Sequence, residues 1–525
     1  MKIERTKNAS KNIAVGVSLK LYQMLAPFLM RTAMLYYMGE QYLGLSGLFT
    51  SILHILNLAE LGVGSAMVFS MYQPIAEDDE AAICALMRLY RTYYRIIGLV
   101  IGVVGIALTP MIPHLIKGTV PDGLNVYVLY LLNLGATVLT YWLFAYKNCL
   151  LNAHQRTDVS SLVTILTTTV QYGLQLVIMI VWKNYYLHMI VALLTQALNN
   201  VITAFVANKM YPRYQARGKL DREKTRSING RIRDLFTSKM GSVILTSGDS
   251  VVISAFLGLS VLAVYQNYYF ILTSVLGIVE IMLQSVMAGL GNSFLTETKQ
   301  KNFKDLKKFT FLFIWLTGLF SCCFLALYQP FMEIWVGKGL MLGNSAVIWL
   351  ALYFFVCTLC RLLSVYKDAA GLWHKDRFRP LVAAVVNVTL NLLWVRSMGV
   401  YGVLMSTVVS VTVVELPWLL YNIFTVFFYK TYFGEYIRHL LGLILAAAVA
   451  AVAVWLICLP IQGNPWVSLV LRGIVGVTVP NLLLWLLLHR TQQFIPAVQM
   501  VDKLTKNKLK LERLFSCKKC ELDKK

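Results

Sequence analysis

The chain has 525 residues, 58% of them hydrophobic and 14% charged, with a mean hydropathy of +0.64. Soluble domains carry about 25% charged residues, so a large water-soluble enzyme is excluded and a polytopic membrane protein is expected. The net charge of +23 would suit nucleic acid, but the basic residues fall in alternate loops, as they do where charge sets membrane orientation. No nucleic-acid partner is expected.

The chain starts basic (Lys2, Arg5, Lys7, Lys11). The first apolar segment is long, carries charges and lacks a small-residue cleavage pattern, so it reads as a membrane helix with a cytoplasmic N-terminus. Apolar runs then predict fourteen helices, over 13–38, 43–73, 93–116, 124–146, 158–182, 185–208, 235–257, 261–292, 309–332, 344–366, 379–395, 400–428, 439–459 and 466–489. An even number puts both ends on one side, the cytoplasmic one. In that register 40 of the 48 Lys and Arg residues fall in cytoplasmic segments, the asymmetry that orients membrane proteins.

The fold class expected is all-α, with about 14 transmembrane helices in two pseudo-symmetric six-helix lobes plus two C-terminal helices. The N-terminal lobe spans 1–208, a basic cytoplasmic linker 209–234, the C-terminal lobe 235–437, helices thirteen and fourteen 438–489, and a basic tail 490–525. The linker reads as a solvated loop. The alternative is an amphipathic helix on anionic membrane lipids, where each basic residue contributes about 1 kcal/mol. A shift of 219 residues lays Lys20 on Lys239, Gly39 on Gly258 and Leu43 on Leu262, and brings Glu60 within one residue of Glu280. That pattern suits a parallel repeat.

Three ionisable residues, Lys20, Arg31 and Glu60, lie in the first two predicted helices. A charge near the bilayer centre costs about 2.5–3.5 kcal/mol on insertion scales and usually faces a bundle interior or a watery cavity. Lys20 and Arg31 are eleven residues apart, near one stripe with Gln23 and Pro27. Lys239 opens the seventh helix, and Asn57 shares a face with Glu60. Lys20, Arg31, Lys239, Gln23 and Asn57 are therefore candidates to bind substrate. Asp249, Glu60, Glu280 and Glu415 are deep acids. They are either titratable ion-coupling groups, shifted by desolvation, or members of buried ion pairs (Lys20 with Glu60, Lys239 with Glu280). Asp249, near mid-membrane and too short to reach the surface, is the strongest ion or proton site among them. Gln171, Gln175, Gln196, Asn199, Asn200, Gln266, Asn267, Asn387 and Asn391 also lie at membrane depth; helix–helix hydrogen bonds explain most of them, and an excess of Asn, Gln and Tyr would also suit a sugar-lined cavity.

Enzyme signals are poor. His54 lies inside a helix with no accompanying Cys or Ser motif, and there is no phosphate-binding P-loop. Cys517 and Cys520 make a lone CxxC, whereas structural zinc needs four ligands. No metal, cofactor or catalytic residue is expected. Energy would come from an ion gradient, from the substrate's own gradient or from a partner.

At Leu58-Ala59-Glu60-Leu61-Gly62-Val63-Gly64-Ser65-Ala66-Met67, then Tyr72-Gln73-Pro74-Ile75-Ala76 and Arg91-Thr92-Tyr93-Tyr94-Arg95, the chain resembles bacterial polysaccharide-unit flippases. These belong to the multidrug/oligosaccharidyl-lipid/polysaccharide exporter superfamily. The resemblance implies a lipid-linked oligosaccharide substrate, carried on undecaprenyl diphosphate, that crosses to the outer leaflet for surface polysaccharide biosynthesis. It implies alternating access of two lobes about a cationic cavity, with polysaccharide polymerases as partners. Lys20, Arg31 and Lys239 would meet the diphosphate or acidic sugars, and the lipid tail would lie beside helices thirteen and fourteen. The second lobe departs from the pattern, since Lys239 is its one candidate cation, and this admits a neutral-sugar cavity. A second reading, an ion-coupled multidrug or metabolite antiporter of the same superfamily, draws on Glu60, Asp249 and Glu280.

Overall fold

The computed structural model describes residues 5–60, 62–118 and 120–504. They are helical almost throughout, with no strand among them. In chain order the helices are α1 (Arg5–Tyr37), α2 (Glu40–Leu56), α3 (Val63–Ala76), α4 (Glu80–Leu108), α5 (Val126–Trp142), α6 (Asn148–Ala153), α7 (Thr157–Val181), α8 (Tyr185–Met210) and α9 (Arg222–Leu257). Then follow α10 (Leu259–Thr296), α11 (Lys299–Val336), α12 (Asn344–Ala369), α13 (Trp373–Asp376), α14 (Arg379–Met398), α15 (Val400–Ser410), α16 (Leu416–Asn422), α17 (Thr431–Cys458), α18 (Pro465–Leu488) and α19 (Phe494–Leu504). The protein is an all-α polytopic membrane protein. Eleven helical segments among the described residues are long and apolar enough to span a membrane, or twelve when α5 and the bent segment after it are joined across their 47° bend.

All fourteen expected segments are helical, but the second is not one helix. The run expected over 43–73 breaks into α2, a 3-10 turn at Asn57–Glu60, and α3. Gly62 explains the break. Its φ of 91° lies in the left-handed region, which β-carbon crowding closes to most residues. A Cβ there would also stand 2.6 Å from the Leu235 Cβ of α9.

The chain divides into two compact units, one of Met1–Asn267 with Arg377–Val403, the other of Tyr268–Asp376 with Leu404–Lys525. In the first, α9 packs along α14 and α2, α1 along α7, and α4 along α5. Gly241 permits the α9–α14 approach, since a Cβ on it would fall 2.0 Å from the Pro380 carbonyl carbon. Gly39 and Gly258, the positions related by the 219-residue shift, have nearly equal backbone angles (φ 106°, ψ 171° and φ 97°, ψ 173°). Both separate one long helix from the next.

The basic stretch expected as a solvated linker is folded onto the start of α4. Arg88 donates to the Gly218 carbonyl at 3.0 Å, Arg217 pairs with Glu80 at 3.3 Å, and Tyr93 donates to Asn229 at 2.5 Å. From Arg222 onward the stretch is already α9.

In the second unit α11 is the central helix, packed on α12, α17 and α18. Trp315 of α11 donates to Asn481 of α18 at 2.9 Å. Gly318 and Gly476 allow close contact, with Ala447 and Ala326 against them. The two helices expected as extras are therefore built into this unit. Helix α19 also packs on α11, burying Phe494 and Ala497. The rest of the tail, with Leu511, Leu514, Phe515, Cys517 and Cys520, lies outside the described residues. Large apolar side chains stay exposed on outward helix faces, among them Leu166, Phe205, Leu445 and Val470, as a lipid-facing surface requires.

Candidate functional site

Helix α1 separates its polar residues by depth. Lys20 and Gln23 are exposed, whereas Arg31, three turns further on, is half-buried. The Arg31 Nη2 stands 3.5 Å from Asn267 Oδ1. Asn267 itself is 1% exposed, and its amide nitrogen has no acceptor among the described residues. A buried donor without a partner costs about 1–3 kcal/mol, so this point is suited to an arriving anion or carbonyl. Lys239 is exposed on α9.

Glu60 ends the 3-10 turn that breaks the second segment, and each of its carboxylate oxygens accepts from a tyrosine. Tyr94 of α4 donates to Oε1 at 2.6 Å and Tyr141 of α5 to Oε2 at 2.6 Å. Tyr141 also reaches Asn57 Oδ1 at 3.2 Å, and Tyr90 donates to the Tyr94 oxygen at 2.6 Å. The three tyrosines are 3–6% exposed. The partners of Glu60 here are phenols, where the sequence suggested Lys20. The two phenol donors hold α2, α4 and α5 around the break.

Asp249 of α9 is 4% exposed and meets two asparagines of α14 that are fully buried. Asn391 donates to Asp249 Oδ1 at 2.6 Å, and the same amide lies 3.1 Å from Asn387 Oδ1. The Asn391 carbonyl oxygen is buried without a donor among the described residues. One carboxylate and two amide oxygens are hard ligands of the kind alkali and alkaline-earth cations prefer. Two residues earlier, Ser247 is hydrogen-bonded to His54 at 2.9 Å. No group of three His, Cys, Asp or Glu residues able to hold a metal occurs among the described residues.

In the second unit Glu280 of α10 pairs with Arg361 of α12 at 2.5 Å and accepts from Gln284 at 3.3 Å. Lys239 was the cation expected for it. Arg361 lies near the end of the predicted 344–366 helix, where a charge reads as part of the loop beyond. Glu415 closes a π-helical turn, Val411–Glu415, between α15 and α16. This unit also holds a cavity of about 500 Å³ lined by Gln329, Glu333, Trp455, Gln462 and Arg472. The tyrosine partners of Glu60 were missed as well, since aromatic residues in apolar runs read as packing.

No protein-family model and no curated protein sequence matches the chain. Solved structures do. The lipid II flippase MurJ in an inward closed conformation aligns with a TM-score of 0.66 at 13% identity, covering 90% of this chain and 98% of that one. An inward-facing multidrug resistance MATE family transporter of the MOP superfamily aligns with a TM-score of 0.60 at 16% identity, covering 78% and 97%. A Vibrio cholerae MATE transporter aligns at 0.54 and 13%, covering 79% and 96%. At these identities the likeness is one of fold.

Proposed function

We propose that this chain is a flippase that moves undecaprenyl-diphosphate-linked oligosaccharide units across the bacterial cytoplasmic membrane, by alternating access of two six-helix lobes. The carrying observation is the half-buried Arg31 beside the unsatisfied Asn267 amide. Two donors deep in an apolar helix bundle suit a phosphate or a sugar oxygen, and an Arg fork matches phosphate in particular. The fold supports the reading, since the lipid II flippase structure accounts for 90% of this chain, α17 and α18 packed into its second unit among the rest.

In this mechanism Arg31 holds the diphosphate while Asn267 orients the first sugar. Lys20 and Lys239, both exposed, draw the anionic headgroup inward. Asp249 with Asn387 and Asn391 binds a cation whose gradient drives the cycle. That cluster equally favours a second reading, an ion-coupled multidrug or metabolite antiporter, in which Asp249 alone would be essential.

The test is a mass-spectrometric profile of lipid-linked glycans in cells with and without the chain. Accumulation of a complete diphosphate-linked oligosaccharide, with loss of surface glycan, supports the flippase. An unchanged profile in cells with no redundant flippase removes it and leaves the antiporter.

A further inference from the structure

Three cations gather at the basic-loop end of the first unit, on α4 and on the turn after α5. Arg91 and Arg95 stand one turn apart on α4, a spacing at which like charges repel. Lys147 ends the 3-10 turn that follows α5 and is 7% exposed. The Arg91 guanidinium lies 6.0 Å from the centre of the Tyr146 ring, and the Lys147 ammonium lies 5.9 Å from the same centre. Lys147 is hydrogen-bonded to Asn208, a neutral partner. None of the three forms an ion pair among the described residues. Lys147 is withdrawn from water beside the two guanidinium groups with no counter-charge among the described residues, which is costly, so the cluster favours an added anion.

The surroundings indicate which anion. Trp142 and Phe144 are 50% and 44% exposed beside the cluster, and the Trp142 indole donates to the Arg95 carbonyl at 3.3 Å. Exposed aromatic rings next to basic residues mark the boundary where lipid headgroups lie. We propose that Arg91, Arg95 and Lys147 bind the phosphate of an anionic lipid in the leaflet that the basic loops face. Arg91 and Arg95 supply forked donors and Lys147 a point charge, while Trp142 and Phe144 rest against the lipid's glycerol and upper chain. The site uses none of the residues given to substrate or cation above, so it stands or falls independently of them.

The purified full chain in neutral detergent is titrated with phosphatidylglycerol, phosphatidylcholine or sodium phosphate, and bound lipid is counted by native mass spectrometry. Phosphatidylglycerol should stay bound under activation that strips phosphatidylcholine, and millimolar sodium phosphate should not displace it. Arg95→Gln should lower its retention about fivefold, the share of one basic residue at a lipid surface. Arg91→Gln with Arg95→Gln should lower it further. The Arg95 side chain is exposed and makes no hydrogen bond among the described residues, so the single variant keeps the fold. Equal retention by wild type and both variants, or no preference over phosphatidylcholine, would overturn the site. Displacement by sodium phosphate would assign it to a soluble anion and end the lipid proposal.

Discussion

The Arg361 guanidinium meets the Glu280 carboxylate at 2.5 Å, tying α12 to α10 across 81 positions of sequence. Both side chains keep 35–42% of their exposure. Glu280→Lys should lower thermal stability more than Glu280→Gln, because it sets two cations face to face. Adding Arg361→Glu should recover most of the loss. A double variant no more stable than Glu280→Lys would show that the pair does not join these helices.

Tyr94 and Tyr141 hold the Glu60 carboxylate where the second segment breaks. A hydrogen bond to a charged group contributes about 1.5–3 kcal/mol. Tyr94→Phe and Tyr141→Phe should each destabilise by that order, and the double variant by less than the sum, because the carboxylate then turns to Asn57 or water. Unfolding of the purified variants in a common detergent gives the comparison. Strict additivity would mean that the two phenols act separately.

Asp249 supplies the charge of the cluster on α9 and α14. If it binds a cation, sodium or another monovalent ion should raise the melting temperature of the wild-type chain, and Asp249→Asn should abolish the rise while leaving the protein folded. Asn391→Ala should weaken it, since it removes the buried carbonyl oxygen. Arg31→Ala should leave this ion response intact and cut transport. A full ion response in Asp249→Asn would remove the cluster from the coupling mechanism.

His154 is 5% exposed, with its ring 4.2 Å from that of Tyr211 and 5.6 Å from that of Tyr214. Its Nδ1 lies 2.9 Å from the Leu150 carbonyl and so carries the proton. Burial holds its pKa below the ordinary value, so the folded state favours the neutral ring. The stability it adds is complete above about pH 6.5 and is lost as pH falls through the lower folded value. The melting temperature should therefore drop between pH 7.5 and 5.5 by more in wild type than in His154→Phe. Parallel curves would place that acid sensitivity elsewhere.

Each apolar run that hydropathy marks is helical, because lipid solvation leaves runs of apolar residues that need no partner to be read; the short helices α6, α13 and α19 fall between or beyond those runs. The break at Asn57–Glu60 was visible only as glycines at 62 and 64. What forces it is the sign of φ at Gly62, a backbone property that composition does not carry. Depth alone marks Asp249 in the sequence, and Asn387 and Asn391 are legible there only as polar residues in apolar runs. That all three meet depends on the α9–α14 approach, which Gly241 permits and spacing alone does not reveal. Arg361 was lost for a different reason. Counting charge by loop assigns a residue near a helix end to the water side, and its contact with Glu280 is long-range. The match of Gly39 to Gly258 was legible by alignment, and the shared backbone angles give it a structural meaning.

Helix α9 runs without interruption from Arg222 to Leu257. At 1.5 Å per residue its 36 residues measure about 54 Å, against about 30 Å of hydrocarbon. The surplus is its arginine-bearing first third, which leaves the apolar span as a stiff rod. Such a rod acts as a lever. A 10° tilt of the span about its inner end would swing a tip ~20 Å away by ~3.5 Å. A spin label or fluorophore at Arg226 would then report a tilt too small to resolve inside the bilayer.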